Sequence, residues 1–364
     1  MASITTEGNY DRIIEVKQFD ESKIGVKGLV DSGVKTIPRF FHQPPENLPG
    51  PNLKDRPLMT IPVIDLSRER STVVEEVKRY SSSLGFFQVI NHSVPLPVID
   101  NVVNDMKKFY EQPMEYKMQY YHRDAQKKGA AYYTNFDLYQ SQGASWRDTF
   151  QVRLSPTEPE WDAVPGMCKA PLLDWDKAVV GLAKQLMSIL SEGLGLKSDK
   201  LNEMLCYEHR LCASHYYPPC PEPELTIGIG SHTDPCVITL LVQNEIGNLL
   251  QVKCGEDWAY VEAVPGAIVI NIGDLLQVLS NDEYKSVEHR VLANPTDGAR
   301  VSVATFFNPT NVQMILGPFP ELISAETPAA FKEFLFADYL GRFYTRELDG
   351  KTLVNFYRAD NTKT

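Results

Sequence analysis

TIGIGSHTDPCVITLLVQ, residues 226–243, is the stretch whose reading decides the fold. It holds two short runs of β-branched and apolar residues, 226–233 and 236–243, parted by Asp234-Pro235. That is the punctuation of strands rather than the period of a helix. The pattern extends in both directions, with similar runs at 211–217, 249–253, 258–263, 267–272, 286–293 and 300–307. NEIG, CGED, VPG, NDEY and NPTDG separate them, each a cluster of turn-forming residues. About eight closely spaced strands predict a double-sheet jelly roll or a small barrel.

Upstream, the periodicity changes. IPVIDL (61–66) and FFQVI (86–90) read as strands. Between them Thr72-x-x-Glu75 has the form of a capping box, followed by Val73, Val74, Val77, Tyr80 and Leu84 at helical spacing, with Gly85 suited to the position just past the end. Pro95 and Pro97 open a second helix with Val98, Ile99, Val102, Val103, Met106 and Phe109 on one side. A third, over about 172–194, carries Val179, Leu182, Ala183, Leu186, Ile189 and Leu190. Tyr120 to Trp161 is dense in aromatic and polar residues without strong periodicity, as expected of a strand pair or a loop wall around a pocket. The expected class is mainly β with flanking α-helices around a double-stranded β-helix (jelly-roll) core. Residues 1–60 read as an irregular N-terminal arm, 61–204 as a helix-rich region, 205–310 as the jelly roll and 311–364 as a C-terminal helical segment closing the pocket, all in one integrated unit.

Bulk properties narrow the partners. The net charge is −11 with no basic run, which argues against binding nucleic acid or anionic membranes. There is no stretch of about 18 apolar residues to span a bilayer. The start, MASITTEGNYDRII, lacks the blocks of a secretory signal. Cysteines 168, 206, 212, 220, 236 and 254 form no C-x-x-C pair, so a reducing cytoplasm is expected. The expected partner is a small-molecule substrate, and the expected state a monomer.

His232 and Asp234 are two apart, so on a strand both leave the same face. Their Cα atoms then sit ~6.6 Å apart, within reach of one cation. His289 adds a donor from another strand. Two imidazoles and one carboxylate form the facial triad of non-haem Fe(II) sites, although a zinc hydrolase would accept the same set. His42, His92, His122 and His209 read as packing residues. Arg300 and Ser302 also share a strand face. A turn at NPTDG is expected to return the chain antiparallel and bring Arg300 beside the strand of His289. A guanidinium pointing into the interior needs an anion. Either an internal salt bridge or a small chelating acid used as co-substrate supplies it. Phe306, at i+4 from Ser302, lies on the same face. Tyr133, Phe136 and Phe150 in the aromatic segment, with Leu340 and Phe343 near the C-terminus, are further pocket candidates, or else ordinary core.

These motifs carry a resemblance. IPVIDL, GFFQVINH (85–92), HYYPPCPEP (215–223), HTD (232–234), PGAIVINIGDLLQVLSNDEYKSVEHRV (265–291) and RVS (300–302) resemble the plant 2-oxoglutarate/Fe(II)-dependent dioxygenases over nearly the whole chain. The arm FDESKIGVKGLVDSGVKTIPRFFHQP (19–44) looks most like the branch of aminocyclopropane-carboxylate oxidase homologues, which includes specialised-metabolism hydroxylases. The resemblance implies Fe(II) on His232, Asp234 and His289, with no catalytic side chain beyond the metal centre. It implies 2-oxoglutarate held by Tyr217, Arg300 and Ser302, O2 as second co-substrate, ascorbate as reductant, and Phe306 stacking on the substrate. Hydroxylation, O-demethylation and desaturation all fit it. An ascorbate-dependent aminocyclopropane-carboxylate oxidase, or a binding protein without turnover, stands further off. The chain departs from the family pattern at His215, where Asn is usual, and at Ser93 and Asn248, where Gly is common.

Overall fold

The strand signals resolve into two facing sheets in the computed structural model, which describes residues 10–50, 60–124, 128–246, 248–345 and 348–359. In chain order the strands are β1 (Val63–Asp65), β2 (Phe86–Ile90), β3 (Ala130–Tyr133), β4 (Asp148–Ser155), β5 (His209–Tyr217), β6 (Ile227–His232) and β7 (Ile238–Gln243). They continue as β8 (Leu250–Cys254), β9 (Asp257–Tyr260), β10 (Ile268–Ile272), β11 (His289–Leu292), β12 (Arg300–Asn308), β13 (Ile315–Leu316) and β14 (Phe334–Leu335). The major sheet has the order β1-β2-β10-β7-β12-β5-β4-β3 and the minor sheet β6-β11-β8-β9. All pairings within these two sheets are antiparallel except β1 with β2. This is the expected jelly roll with flanking helices.

Parity along the strands sorts the side chains. On β12, Val301, Val303 and Phe307 face outward into the large core made with the helices Arg70–Ser83, Leu96–Tyr110 and Gly166–Gly193. Trp175 of the last helix is fully buried and donates from Nε1 to Thr305 Oγ1 at 2.9 Å. Truncating such an indole costs about 3–5 kcal/mol. Between the sheets, Phe86, Tyr217 and Val269 of the major sheet pack on Ile229, Leu250, Val252 and Val291 of the minor one.

Several expectations need correction. The jelly roll is not confined to 205–310. The 61–204 region donates β2 beside β10 and β4 beside β5, covering edges that would otherwise expose unpaired backbone. The Tyr120–Trp161 segment contains the strand pair β3–β4. The arm is not irregular: it forms helices Arg12–Ser22, capped by the Asp11 carboxylate, and Gly25–Asp31. Its ends, 1–9 and 51–59, lie outside the described residues. Asp148 of β4 anchors the second helix by accepting from the N–H groups of Val26 (2.8 Å) and Lys27 (2.9 Å), with Thr134 Oγ1 at 2.6 Å. Gly25 is required there. Its φ is +66°, and a Cβ would lie 2.7 Å from the Asp148 carboxylate.

The helix expected to start at Thr72 starts instead at Arg70, because Val73 N–H already bonds the Glu69 carbonyl at 3.1 Å. The helix expected from 172 begins at Gly166 and carries Pro171 in its second turn. There the proline ring disturbs only the first turn, and burial of Cys168 and Leu172 offsets the cost. Asn248 has φ +62°, so this Asn takes the left-handed conformation that Gly would otherwise supply.

Candidate active site

β6 and β11 are neighbours in the minor sheet, and His289 lies directly opposite His232 in their register. Asp234 follows β6 by two residues and completes the set. One ligand atom from each residue falls within 4.8 Å of the other two. Asp234 Oδ1 is 3.7 Å from His232 Nε2 and 3.6 Å from His289 Nε2. All three side chains are buried.

The surroundings leave these atoms free for a metal. His232 Nδ1 sits 2.8 Å from the Gly230 carbonyl, and His289 Nδ1 3.2 Å from that of Val287. A carbonyl only accepts, so Nδ1 carries the proton on each ring and Nε2 offers its lone pair. Asp234 Oδ2 accepts from Thr239 Oγ1 (2.5 Å) and Asn271 Nδ2 (2.8 Å), which turns Oδ1 to the imidazoles. Burial raises the Asp234 carboxyl pKa, but the two imidazoles and these two donors outweigh it and hold it below its ordinary value. Burial, followed by the field of His289, pushes the His232 pKa well down, so it is neutral. Two imidazoles and a carboxylate fit Fe(II).

Arg300 is on the major sheet. β12 pairs with β5 and β7, not with β11, so the expected hairpin beside the metal strand does not form. The NPTDG turn instead carries the chain from one sheet to the other, and Arg300 belongs to the sheet facing the metal strands. Such crossings are how a sandwich closes. Arg300 pairs in register with Tyr217, and Ser302 with His215. The guanidinium is fully buried and lies 5.0 Å from the Tyr217 ring centroid. It donates to Gln243 Oε1 from Nη2 (2.6 Å) and Nε (3.1 Å), and Nη1 is 3.4 Å from Ser302 Oγ. Burial lowers its pKa, partly offset by Tyr217.

Among the described residues no carboxylate pairs with Arg300, which removes the internal salt bridge foreseen as its alternative. The buried Gln243 Nε2 also lacks a partner. A buried guanidinium without an anion is costly, and the carboxylate of 2-oxoglutarate fits this need.

A cleft opens beside the triad, with His232 and Asp234 in its lining. Of the substrate candidates, Tyr133, Phe136, Phe306, Leu340 and Phe343 line it. Phe150 does not. It lies on the opposite face of β4, against Phe109 at 5.3 Å between ring centroids, in the helix-side core. Strand parity decides this, since Thr149 and Gln151 on either side of it face the cleft.

The same parity brings in Arg147, which the sequence reading missed for want of a strand assignment there. His215 lines the cleft with Nδ1 3.0 Å from Thr149 Oγ1. Burial first, then Arg147 and Arg300, hold its pKa well below normal, so it is neutral. Thr239 and Asn271 were also missed. An Asn inside the wholly buried run IVINI is the signal that would have found the second.

Comparisons with known proteins agree with this geometry. Residues 208–309 match the family model of the 2OG-Fe(II) oxygenase superfamily, and residues 61–171 that of the non-haem dioxygenase in morphine synthesis N-terminal region. 1-Aminocyclopropane-1-carboxylate oxidase homolog 3 of Arabidopsis thaliana is 42% identical over 362 residues, covering 96% of this chain and 97% of its own. Deacetoxyvindoline 4-hydroxylase of Catharanthus roseus is 40% identical over 360 residues, covering 95% and 89%. The crystal structure of JOX2 in complex with 2OG, Fe and JA has a TM-score of 0.83 at 30% identity, covering 92% of this chain and 97% of that one.

Proposed function

This chain belongs to the 2OG-Fe(II) oxygenase superfamily, and from that premise we propose that it hydroxylates an aromatic or heterocyclic plant specialised metabolite. The family is one of oxidoreductases that use Fe(II), 2-oxoglutarate and O2, with ascorbate typical as reductant, and that act on small molecules. His232, Asp234 and His289 would hold the iron, and Arg300, Ser302 and Tyr217 the far carboxylate of 2-oxoglutarate. When bound, the pair supplies oxidising power from O2 to a substrate C–H bond, with release of succinate and CO2.

The protein's own part is positional. Gly230 and Val287 carbonyls fix the imidazole tautomers, Thr239 and Asn271 aim the carboxylate, and the apolar walls keep water from the reacting centre. Family membership sets aside the zinc-hydrolase reading.

The observation that carries the substrate proposal is the aromatic wall of Tyr133, Phe136, Phe306, Phe343 and Tyr344 beside the triad. Such a wall suits a flat ring. A relative named as a 4-hydroxylase of deacetoxyvindoline supports a hydroxylation. The test is succinate formation over a panel of phenylpropanoids, indoles, benzoxazinoids and alkaloids, with mass analysis of the product. Gain of one oxygen is expected. Loss of a methylene or of two hydrogens would mean demethylation or desaturation, and turnover confined to saturated aliphatic compounds added to the panel would overturn the aromatic assignment. The proposal extends to a cytoplasmic location and a monomeric state. Cell fractionation and sizing chromatography check both points.

A further inference from the structure

Arg147 lines the cleft, one residue before β4, and is 1% exposed. Its Nη1 donates to the Gly228 carbonyl at 3.2 Å, and its Nε has no partner. Among the described residues no carboxylate forms an ion pair with it. Among the described residues, the one acidic side chain that lines the cleft is Asp234, which is committed to the triad. Arg147 is near enough to His215 that its field helps hold that imidazole neutral, after burial.

A charge count sharpens the point. With doubly charged iron and dianionic 2-oxoglutarate bound, the two guanidinia of Arg147 and Arg300 and the Asp234 carboxylate would leave one positive charge over among these groups, and Arg147 is the guanidinium with no anion assigned to it. Buried uncompensated charge is costly, and a guanidinium prefers a planar two-oxygen acceptor.

The neighbouring wall is built to match. Thr149, Gln151, His215 and Tyr133 form a polar strip beside Arg147, while Phe136, Phe306, Leu340 and Phe343 form the apolar side. Tyr133 donates to Gln151 Oε1 at 2.6 Å, which leaves the Gln151 amide N–H groups as donors. The Gln151 amide therefore presents donors to an anion, and among the described residues no second carboxylate lines the cleft to repel one.

We infer that the substrate is an aromatic acid, whose ring lies on the Phe306 side of the cleft and whose carboxylate is received by Arg147. This rests on the hydroxylase reading above and adds the charged end of the molecule.

The test is calorimetric titration of the Fe(II)·2-oxoglutarate enzyme under anaerobic conditions, where nothing turns over. The probes are indole-3-carboxylate, cinnamate and 4-methoxybenzoate, each against its primary amide. At least one acid is expected to bind about tenfold or more tighter than its amide. Arg147→Gln should erase that difference while leaving the amides unchanged, and Arg147→Lys should keep part of it. Acids and amides binding equally throughout would overturn the proposal, as would an acid preference that survives in Arg147→Gln. Should Arg147→Gln not fold, the wild-type comparison and Arg147→Lys still decide. Because binding is read apart from turnover, acid preference without succinate formation would uphold Arg147 and sink the hydroxylase reading. Turnover of neutral compounds with no acid preference would do the reverse.

Discussion

Replacing Arg300 by Met separates what the protein needs from what the co-substrate needs. The guanidinium is fully buried, is held by Gln243 Oε1 through two donors, and has no carboxylate partner among the described residues. In the free enzyme it is therefore a desolvated charge that contributes little to folding. Arg300→Met removes that desolvation cost and the bonds to Gln243 together, and stability should change by no more than about 1–2 kcal/mol. Toward 2-oxoglutarate the loss is one-sided. Truncating one partner of a buried, hydrogen-bonded charge pair costs about 2–5 kcal/mol. At about 1.4 kcal/mol per tenfold, a value near 3 corresponds to roughly a hundredfold rise in KM.

Two assays read the two halves. Succinate formation gives KM for 2-oxoglutarate. Denaturation of the Mn(II)-loaded protein with and without 2-oxoglutarate gives the binding linkage. At one hundred times the wild-type Kd the ligand adds about 2.7 kcal/mol, and in a hundredfold-weaker variant only about 0.4 kcal/mol. Metal affinity should not move. A KM within threefold of wild type, with stability falling by several kcal/mol, would refute the reasoning and make Arg300 a clasp for Gln243.

Three further outcomes are expected. Asp234→Ala or His232→Ala should abolish turnover and Fe(II) binding together, since each removes one of the three converging donors; retained activity would remove the triad assignment. Thr239→Val should weaken Fe(II) or Mn(II) binding about 10–100-fold in calorimetry, because it frees the Asp234 carboxylate to rotate; unchanged affinity would show that Asn271 alone suffices. Asp148→Ala should cost about 1–3 kcal/mol and speed proteolysis within 25–31, since it strands the N–H groups of Val26 and Lys27; an equally protected arm would show that its apolar contacts hold it unaided.

The sequence by itself determined whatever depends on neighbours along the chain. His232 and Asp234 are two apart, the spacing that an extended chain sets on one face, and they do converge even though β6 ends at His232. The same rule joined Arg300, Ser302 and Phe306, and the turn clusters between 211 and 307 marked strands that the structure contains. The register that sets His289 opposite His232 is different. It comes from the pairing of β11 with β6, strands distant in the chain, and no local pattern encodes it. The passage of β12 to the opposite sheet depends likewise on which edges were free. Phe150 is the sharpest case. Its composition made it a pocket residue, but the parity of β4 turned it to the helices and turned Arg147, Thr149 and Gln151 inward. A one-residue shift in register exchanges every side chain between faces, so only the tertiary structure decided which residues of that segment meet the substrate.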